Sequence, residues 1–377
     1  MSDASANTVP QTPPAEGEYR LVVTSIGTAT PASAKSIALG LGVSVQSVLN
    51  ALYRAPSILV DRVSVDIAEQ MQTLLASLGY ETRIDSSDQP LTPADGYFDI
   101  AAYITDVQAY DRILDELARF LGTTAAETSH LLTSPPGIIL GNVSQATLTA
   151  LRDRLGDGIE LIASNPKTAR YSVFLTADSP EQAQRTGLEL RRRGYQPIAD
   201  QGCVLIDLDK TQADALWSAF QKANTLRVIN QDFLRYDLVL TEPGQGATAD
   251  ACAALGDLAG IPEHIIAKLF ANTPITLIEA LPNEHLQSTL LALTQAGLSV
   301  RADLISFMPL GLKITHTREP RQLQRTLQSL GLLDVAQTTL PALPFQLPYA
   351  LPELQARVVR GALEASGTAA ELVEIAS

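Results

Sequence analysis

A strand-like apolar run closing on threonine recurs five times along the chain, and no other feature of the sequence limits the fold as strongly. The runs are YRLVVT ending at Thr24, FDIAAYIT at Thr105, YSVFLT at Thr176, YDLVLT at Thr241 and LKIT at Thr315, with successive spacings of 81, 71, 65 and 74 residues. Each is followed, after an amphipathic stretch, by a turn residue and a second strand-like run: YETRI, GIELI, TLRVI, LSVRA and AAELVEI. The turn residues are Gly79, Gly156, Asn224, Gly297 and Gly367, where a helix is expected to stop on a left-handed residue.

The stretch before each turn has helical periodicity, with Ile67, Met71, Leu74, Leu75 and Leu78 in the first copy and Leu286, Leu290 and Leu293 in the fourth. One face of each such helix is expected to point at a sheet. Just ahead of it lies another extended stretch, PSILVDRVS, PGIILGNVS, GCVLIDLDK, PITLIEALP or PFQLPYALP, whose β-branched and proline content suits an edge strand or a half-buried loop. Four copies leave room for two helices in between, as at 31–42 and 44–55, whereas the third has room for one, from Pro180 to Arg193.

The expected fold class is therefore α+β: a tandem array of about five small two-layer βααβαβ domains, each a three-stranded sheet covered by helices, the third degenerate. A disordered Pro-rich arm is expected at 1–17, followed by copies at 18–87, 96–165, 168–230, 234–304 and 308–377. The joins at 231–234 and 303–310 are apolar and predict packing against neighbours, while 86–95 is polar.

Acidic residues outnumber basic ones by 41 to 27, and a net charge of −14 disfavours phosphate backbones and anionic lipid as partners. No run of about eighteen apolar residues occurs, and residues 1–18 lack the basic start and apolar centre of a signal peptide, so membrane insertion is not expected and a cytoplasmic location is. Cys203 and Cys252 are too few for a disulfide framework or a Cys-rich zinc site and are expected to be buried.

The order of elements resembles the C-terminal domain of the bacterial ribosomal stalk protein, a fold shared with the adaptor protein of the Clp protease. The first copy carries the resemblance best, in GLGVSVQSVLNALYRAPSILVDRVSVDIAEQMQTLLASLGYETRI at 40–84, and the fourth is next, at 235–302. The stalk domain recruits translation factors through Lys and Arg on its first two helices; that region here offers Lys35 and Arg54 in the first copy and Lys268 in the fourth. The Clp adaptor grips cargo with acidic residues after the first strand, where this chain retains isolated acids such as Asp106, Asp178 and Glu242. The resemblance implies protein partners; the absence of any nucleotide or metal motif in the residues leads to the expectation of no cofactor.

No catalytic, metal or cofactor-binding constellation stands out. His130, His264, His285 and His316 have no ligand-spaced companions and are expected at the surface. The GQG at 244–246 lacks the remaining residues of a nucleotide loop and reads as a tight turn. Arg191, Arg192 and Arg193 close the third copy's helix, where cations offset its dipole or dock an acidic partner. Trp217, with Ala213 and Phe220 at helical spacing, is expected in the core, with a partner-facing anchor as the alternative. Phe345 and Tyr349, in LPALPFQLPYALP at 340–352, either fill the last core or mark an interface. The function expected is that of a non-enzymatic scaffold or protein-interaction protein, a subunit of a larger or self-associating assembly in which repeated faces multiply weak contacts; the alternative is an adaptor presenting protein cargo to a larger machine such as an AAA+ protease or chaperone.

Overall fold

The computed structural model describes residues 17–134, 137–177, 179–198, 202–242, 246, 248–306, 308–333 and 340–374. It has mixed α+β architecture, with small antiparallel sheets each built from neighbouring stretches of chain. Two compact units are present: 1–97 with 119–123 and 142–155, and 98–118 with 124–141 and 156–377.

The first unit opens with β1 (Tyr19–Ser25), α1 (Ala34–Leu41), α2 (Val45–Tyr53), β2 (Ser57–Val63), α3 (Val65–Ser77) and β3 (Glu81–Ser86). The sheet has the order β2-β1-β3, with Val22 opposite both Ile58 and Arg83. Leu21, Val22 and Val23 of the central strand are fully buried beside Leu52, Ala68 and Leu75 from the helices. Ser44 and Ser64 start α2 and α3 by accepting the backbone N–H of Ser47 and Ile67, which satisfies donors that a helix start leaves open.

The chain continues with β4 (Phe98–Ile104), α4 (Tyr110–Leu121), α5 (Ala125–Thr133), β5 (Ile138–Val143), α6 (Gln145–Leu155) and β6 (Ile159–Ser164). A shorter segment follows: β7 (Tyr171–Leu175), α7 (Pro180–Arg192), β8 (Cys203–Leu208), α8 (Lys210–Phe220) and β9 (Leu226–Asn230). The fourth comprises β10 (Arg235–Glu242), α9 (Ala249–Ala259), α10 (Glu263–Ala271), β11 (Ile275–Pro282), α11 (Asn283–Gln295) and β12 (Ser299–Leu304). The fifth holds β13 (Pro309–Thr317), α12 (Pro320–Ser329), β14 (Phe345–Gln346), β15 (Leu351–Pro352), α13 (Glu353–Ala365) and β16 (Thr368–Glu374).

In every sheet the first strand of the segment lies in the middle: β5-β4-β6, β8-β7-β9 and β11-β10-β12 repeat the order of the first. In the fifth, β14 and β15 pair with different stretches of β13, at Lys313–Ile314 and Pro309–Leu310, and β16 runs along Leu310 to Thr317. PFQLPYALP thus forms one edge strand interrupted in the middle, because its prolines cannot donate to a ladder.

Two backbone features recur with the strands. Gly79, Asn224, Gly297 and Gly367 have φ of 93°, 49°, 82° and 77°, and Gly156 has 62°, so each expected turn residue is left-handed. At Gly79 the requirement is also steric, since a Cβ there would lie 2.5 Å from Thr28 Oγ1 and 2.9 Å from the Ala29 nitrogen. The edge strands carry a second left-handed residue, Arg62, Asn142, Asp207 and Ala280, each two positions before the residue that precedes the next helix. Such a residue bends the edge strand into the helix, and nothing in the apolar pattern announces it.

Several expectations are corrected by the burial pattern. The apolar stripe of α3 does not all face the sheet: Ala68 and Leu75 are buried, whereas Ile67, Leu74 and Leu78 are 47%, 59% and 39% exposed. One three-stranded sheet covers only a narrow face of a helix, and this stripe is wider than that. Trp217 is 56% exposed, because Leu216 takes the core position between Ala213 and Phe220. Cys203 is buried, but Cys252 is half-buried. Among the described residues no single helix is long and apolar enough to cross a membrane.

Candidate functional site

A polar cluster in the second unit surrounds Tyr103, near the end of β4. Alternation along the strand puts Tyr103 on the opposite face from buried Ile104. The guanidinium carbons of Arg235 and Arg357 lie 4.2 and 4.5 Å from the centroid of its ring. Arg235 opens β10 and is only 5% exposed. Its Nη1 donates to the Ala280 carbonyl at 3.0 Å, and its Nη2 stands 2.6 Å from Glu160 Oε2 on β6, a close ion pair that is poorly aligned as a hydrogen bond. Arg357 projects from α13, donates through Nη1 to the Ile104 carbonyl at 2.7 Å and pairs with Glu353 one turn earlier. Two cations are stable here because each has a carboxylate and both lie against the Tyr103 ring, whose π face attracts cations most strongly when water is excluded.

Burial pushes the Tyr103 hydroxyl up to about 12, against the opposing pull of Arg357, so the ring remains neutral. Asp237, two residues beyond Arg235, accepts the Ala280 N–H at 2.8 Å, and that bond holds the left-handed turn of β11. Burial foremost raises its pKa; Glu279, Glu353 and Asp303 add to the rise, and the Ala280 bond opposes it. Beside this cluster lies an open cavity of about 390 Å³ whose walls include Asp237, Glu279, Asp303, Glu353 and Glu371 together with Arg357 and Arg360. Several of these charges are paired with residues outside the cavity wall: Asp303 binds Arg301, Glu371 binds Lys313 and Arg360 binds Glu364. Among the described residues no group of three or more metal-ligating side chains is present.

Arg357 belongs to a larger contact. The start of α13 shares a small cavity with Leu132 and Thr133 at the end of α5, and its later turns reach the loop after β4. There Gln108 Nε2 donates to the Gly361 carbonyl at 3.4 Å, and a Cβ on Gly361 would lie 2.6 Å from Val107 Cγ2. A matching contact exists in the first unit. The carbonyl of Tyr53, at the end of α2, accepts the Ser144 N–H at 2.9 Å and the Thr147 hydroxyl at 2.8 Å. Farther along α6, Arg154 donates to the Thr28 and Ala29 carbonyls in the loop after β1, with its guanidinium 5.3 Å from the Phe120 ring. In both cases the last helix of one segment begins at the end of another segment's second helix and runs to the loop after its first strand. In the first unit this contact also satisfies the Tyr53 carbonyl, which the end of α2 leaves open.

The residues singled out from sequence do not converge. Arg191, Arg192 and Arg193 are exposed at the end of α7; Arg192 and Arg193 pair with Glu189 at 3.8 and 3.0 Å, and Arg193 lies 5.6 Å from the Phe220 ring. Phe345 is half-buried against the last core, and Tyr349 is 37% exposed with its hydroxyl on the Leu332 carbonyl. All four histidines are exposed. Asp106 caps its loop by accepting the Gln108 N–H at 2.9 Å, while Asp178, residues 244–245 of the GQG turn and residues 1–16 of the arm lie outside the described residues. Sequence reasoning missed Arg235 and Arg357. Arg20 and Arg235 both adjoin a tyrosine at a strand start, but Arg20 follows Tyr19 and Arg235 precedes Tyr236, so they are not equivalent positions of the repeat; both are buried, at 4% and 5% exposure.

No protein-family model, curated protein or solved structure matches the chain.

Proposed function

We propose that the chain is a non-enzymatic scaffold assembled from five copies of one βααβαβ unit resembling the ribosomal stalk C-terminal domain and the Clp adaptor, the third having lost one helix. The reading is carried by the repeated docking of a third helix, α6 or α13, on the second helix and first loop of another copy. A surface used twice for internal assembly, on a unit present in several copies, suits multivalent protein contacts. The buried arginines support the same reading, since Arg235 binds the Ala280 carbonyl and the Glu160 carboxylate and Arg357 the Ile104 carbonyl, all on other elements. Cargo presentation in the manner of the Clp adaptor is the second choice, because Asp106 is engaged in capping its own loop.

The test is quantitative cross-linking in an extract of the native host, comparing the unaltered chain with Trp217→Ala and with Arg191→Ala/Arg192→Ala. A stoichiometric protein partner held by the unaltered chain and released by one of the variants supports the scaffold. Turnover of a small molecule by the purified chain, with no stoichiometric partner, overturns it.

A further inference from the structure

The first turn of α13 is buried and has no side-chain cap. Pro352 stands at the cap position without a side-chain hydrogen bond to the helix, and Glu353 and Leu354, 9% and 6% exposed, open it. A helix start leaves backbone N–H donors open and carries the positive end of the helix dipole, so a buried start calls for an acceptor. This one lines a cavity of about 50 Å³ together with Tyr103, Arg235, Ser306 and Arg357. Arg235 is 5% exposed; its Nη1 reaches the Ala280 carbonyl, but its Nε and Nη2 have no hydrogen-bond partner in the protein. Those two nitrogens form one edge of the planar guanidinium, and their parallel N–H groups match the two oxygens of a carboxylate. Ser306 Oγ accepts the Arg235 backbone N–H at 2.6 Å, which leaves its own proton to donate.

Charge and size point to one kind of ligand. The ionic side chains lining the cavity are Arg235, Arg357 and Glu353, two cations against one carboxylate, and that carboxylate is engaged by Arg357 Nε. Glu160 lies outside the wall, is 46% exposed and stands 2.6 Å from Nη2 of Arg235 without an aligned hydrogen bond. Nη2 carries two protons, so it can keep Glu160 on one side and take a second acceptor on the other. A single water needs about 10–15 Å³ of such space, so the cavity holds roughly three waters or one ion of three or four heavy atoms. A cation finds no ligand set there, because guanidinium and backbone N–H groups only donate. We infer that the cavity is a binding site for a small carboxylate, of the size of formate or acetate, held side-on by Nε and Nη2 of Arg235 and by the open N–H groups at the start of α13. The negative ligand offsets the surplus positive charge and joins the start of β10 to the start of α13.

The experiment is NMR on the full chain, following the side-chain Nε–H resonance of Arg235, assigned through bonds from its own backbone, while sodium formate replaces sodium chloride at constant ionic strength. Thermal unfolding is recorded across the same series. The expected result is a saturable shift of that resonance and an unfolding midpoint that rises with the same dependence on formate, since a ligand bound only by the folded chain stabilises it. Arg235→Lys keeps the positive charge but lacks the two-nitrogen edge, and half-saturation of its midpoint should need at least about tenfold more formate. A resonance that stays in place, as it would if water or Glu160 satisfied Nε, overturns the inference whatever the midpoint does. A resonance that moves while the midpoint stays flat means that chloride holds the site as well as formate, and overturns the choice of a carboxylate. An undiminished response of Arg235→Lys places the binding elsewhere and overturns it too; if that variant does not fold, the resonance and midpoint of the unaltered chain decide. None of these outcomes depends on whether the segments are copies of one unit, so the scaffold reading stands or falls separately.

Discussion

Replacing Arg235 by alanine removes several interactions at once, and their sizes can be worked out separately. The bond from its Nη1 to the Ala280 carbonyl has a charged donor and contributes about 1.5–3 kcal/mol. The guanidinium 4.2 Å from the Tyr103 ring is shielded from water, and a desolvated cation–aromatic contact adds about 1–2 kcal/mol. Burial of the aliphatic stem of a side chain only 6% exposed adds roughly another 1–2 kcal/mol. The ion pair with Glu160 adds at most about 1 kcal/mol, since that carboxylate is 46% exposed and is resolvated when its partner leaves. These terms share atoms and do not sum fully, so the expected loss is about 4 kcal/mol, near the upper end for a single substitution. Arg83→Ala provides the contrast: its pair with Asp85 has the same chemistry at 3.0 Å, but Arg83 is 51% exposed, and the expected loss is below about 1 kcal/mol. Urea unfolding followed by circular dichroism measures the difference, and hydrogen exchange on peptides covering β4 and β10 locates it. Combining Arg235→Ala with Tyr103→Leu should show a coupling of about 1–2 kcal/mol. An Arg235→Ala loss below about 1 kcal/mol, or no coupling to Tyr103, would refute the account of this cluster.

Two further substitutions test the neighbouring chemistry and the turn geometry. The folded pKa of Asp237 is raised by burial, so its contribution to stability is fully present below its ordinary value of 3.8 and is lost as pH rises through the folded value. Asp237→Asn keeps an oxygen for the Ala280 N–H without the charge; it should therefore stabilise at pH about 7 and make little difference at pH about 3, as read from thermal unfolding at both pH values. A gain of equal size at both would contradict the burial argument. Gly79 and Gly42 are both left-handed, at φ of 93° and 67°, but a Cβ on Gly42 meets nothing within 4 Å, whereas one on Gly79 meets Thr28 and Ala29. Gly42→Ala should cost about 1 kcal/mol and Gly79→Ala clearly more; equal costs would mean that the approach of the Thr28 loop is relaxed without penalty.

Much of the local structure is legible without coordinates, for reasons that act over a few residues. A run of β-branched residues closing on threonine makes a strand wherever it occurs, and a glycine after a helical stretch ends the helix because only glycine and asparagine take the left-handed conformation cheaply. The single helix from Pro180 follows from chain length alone: the interval between Thr176 and Cys203 has no room for two. The edge bulges at Arg62, Asn142, Asp207 and Ala280 escape such reading, since four different residue types adopt the same left-handed geometry there.

The sequence by itself determined where the strands, turns and helices fall and that each amphipathic helix has an apolar stripe. Only the tertiary structure decided what covers each stripe. Periodicity records that Ile67 and Leu74 share a flank of α3, as it would for a core helix; their exposure depends on whether another element lies against that flank. The same holds for the arginines. Arg235 looks like any charged residue at the start of a strand until folding brings Tyr103, Glu160 and Ala280 around it from three other strands. A charge can be buried only where such partners meet, and their meeting depends on contacts between residues far apart in the chain.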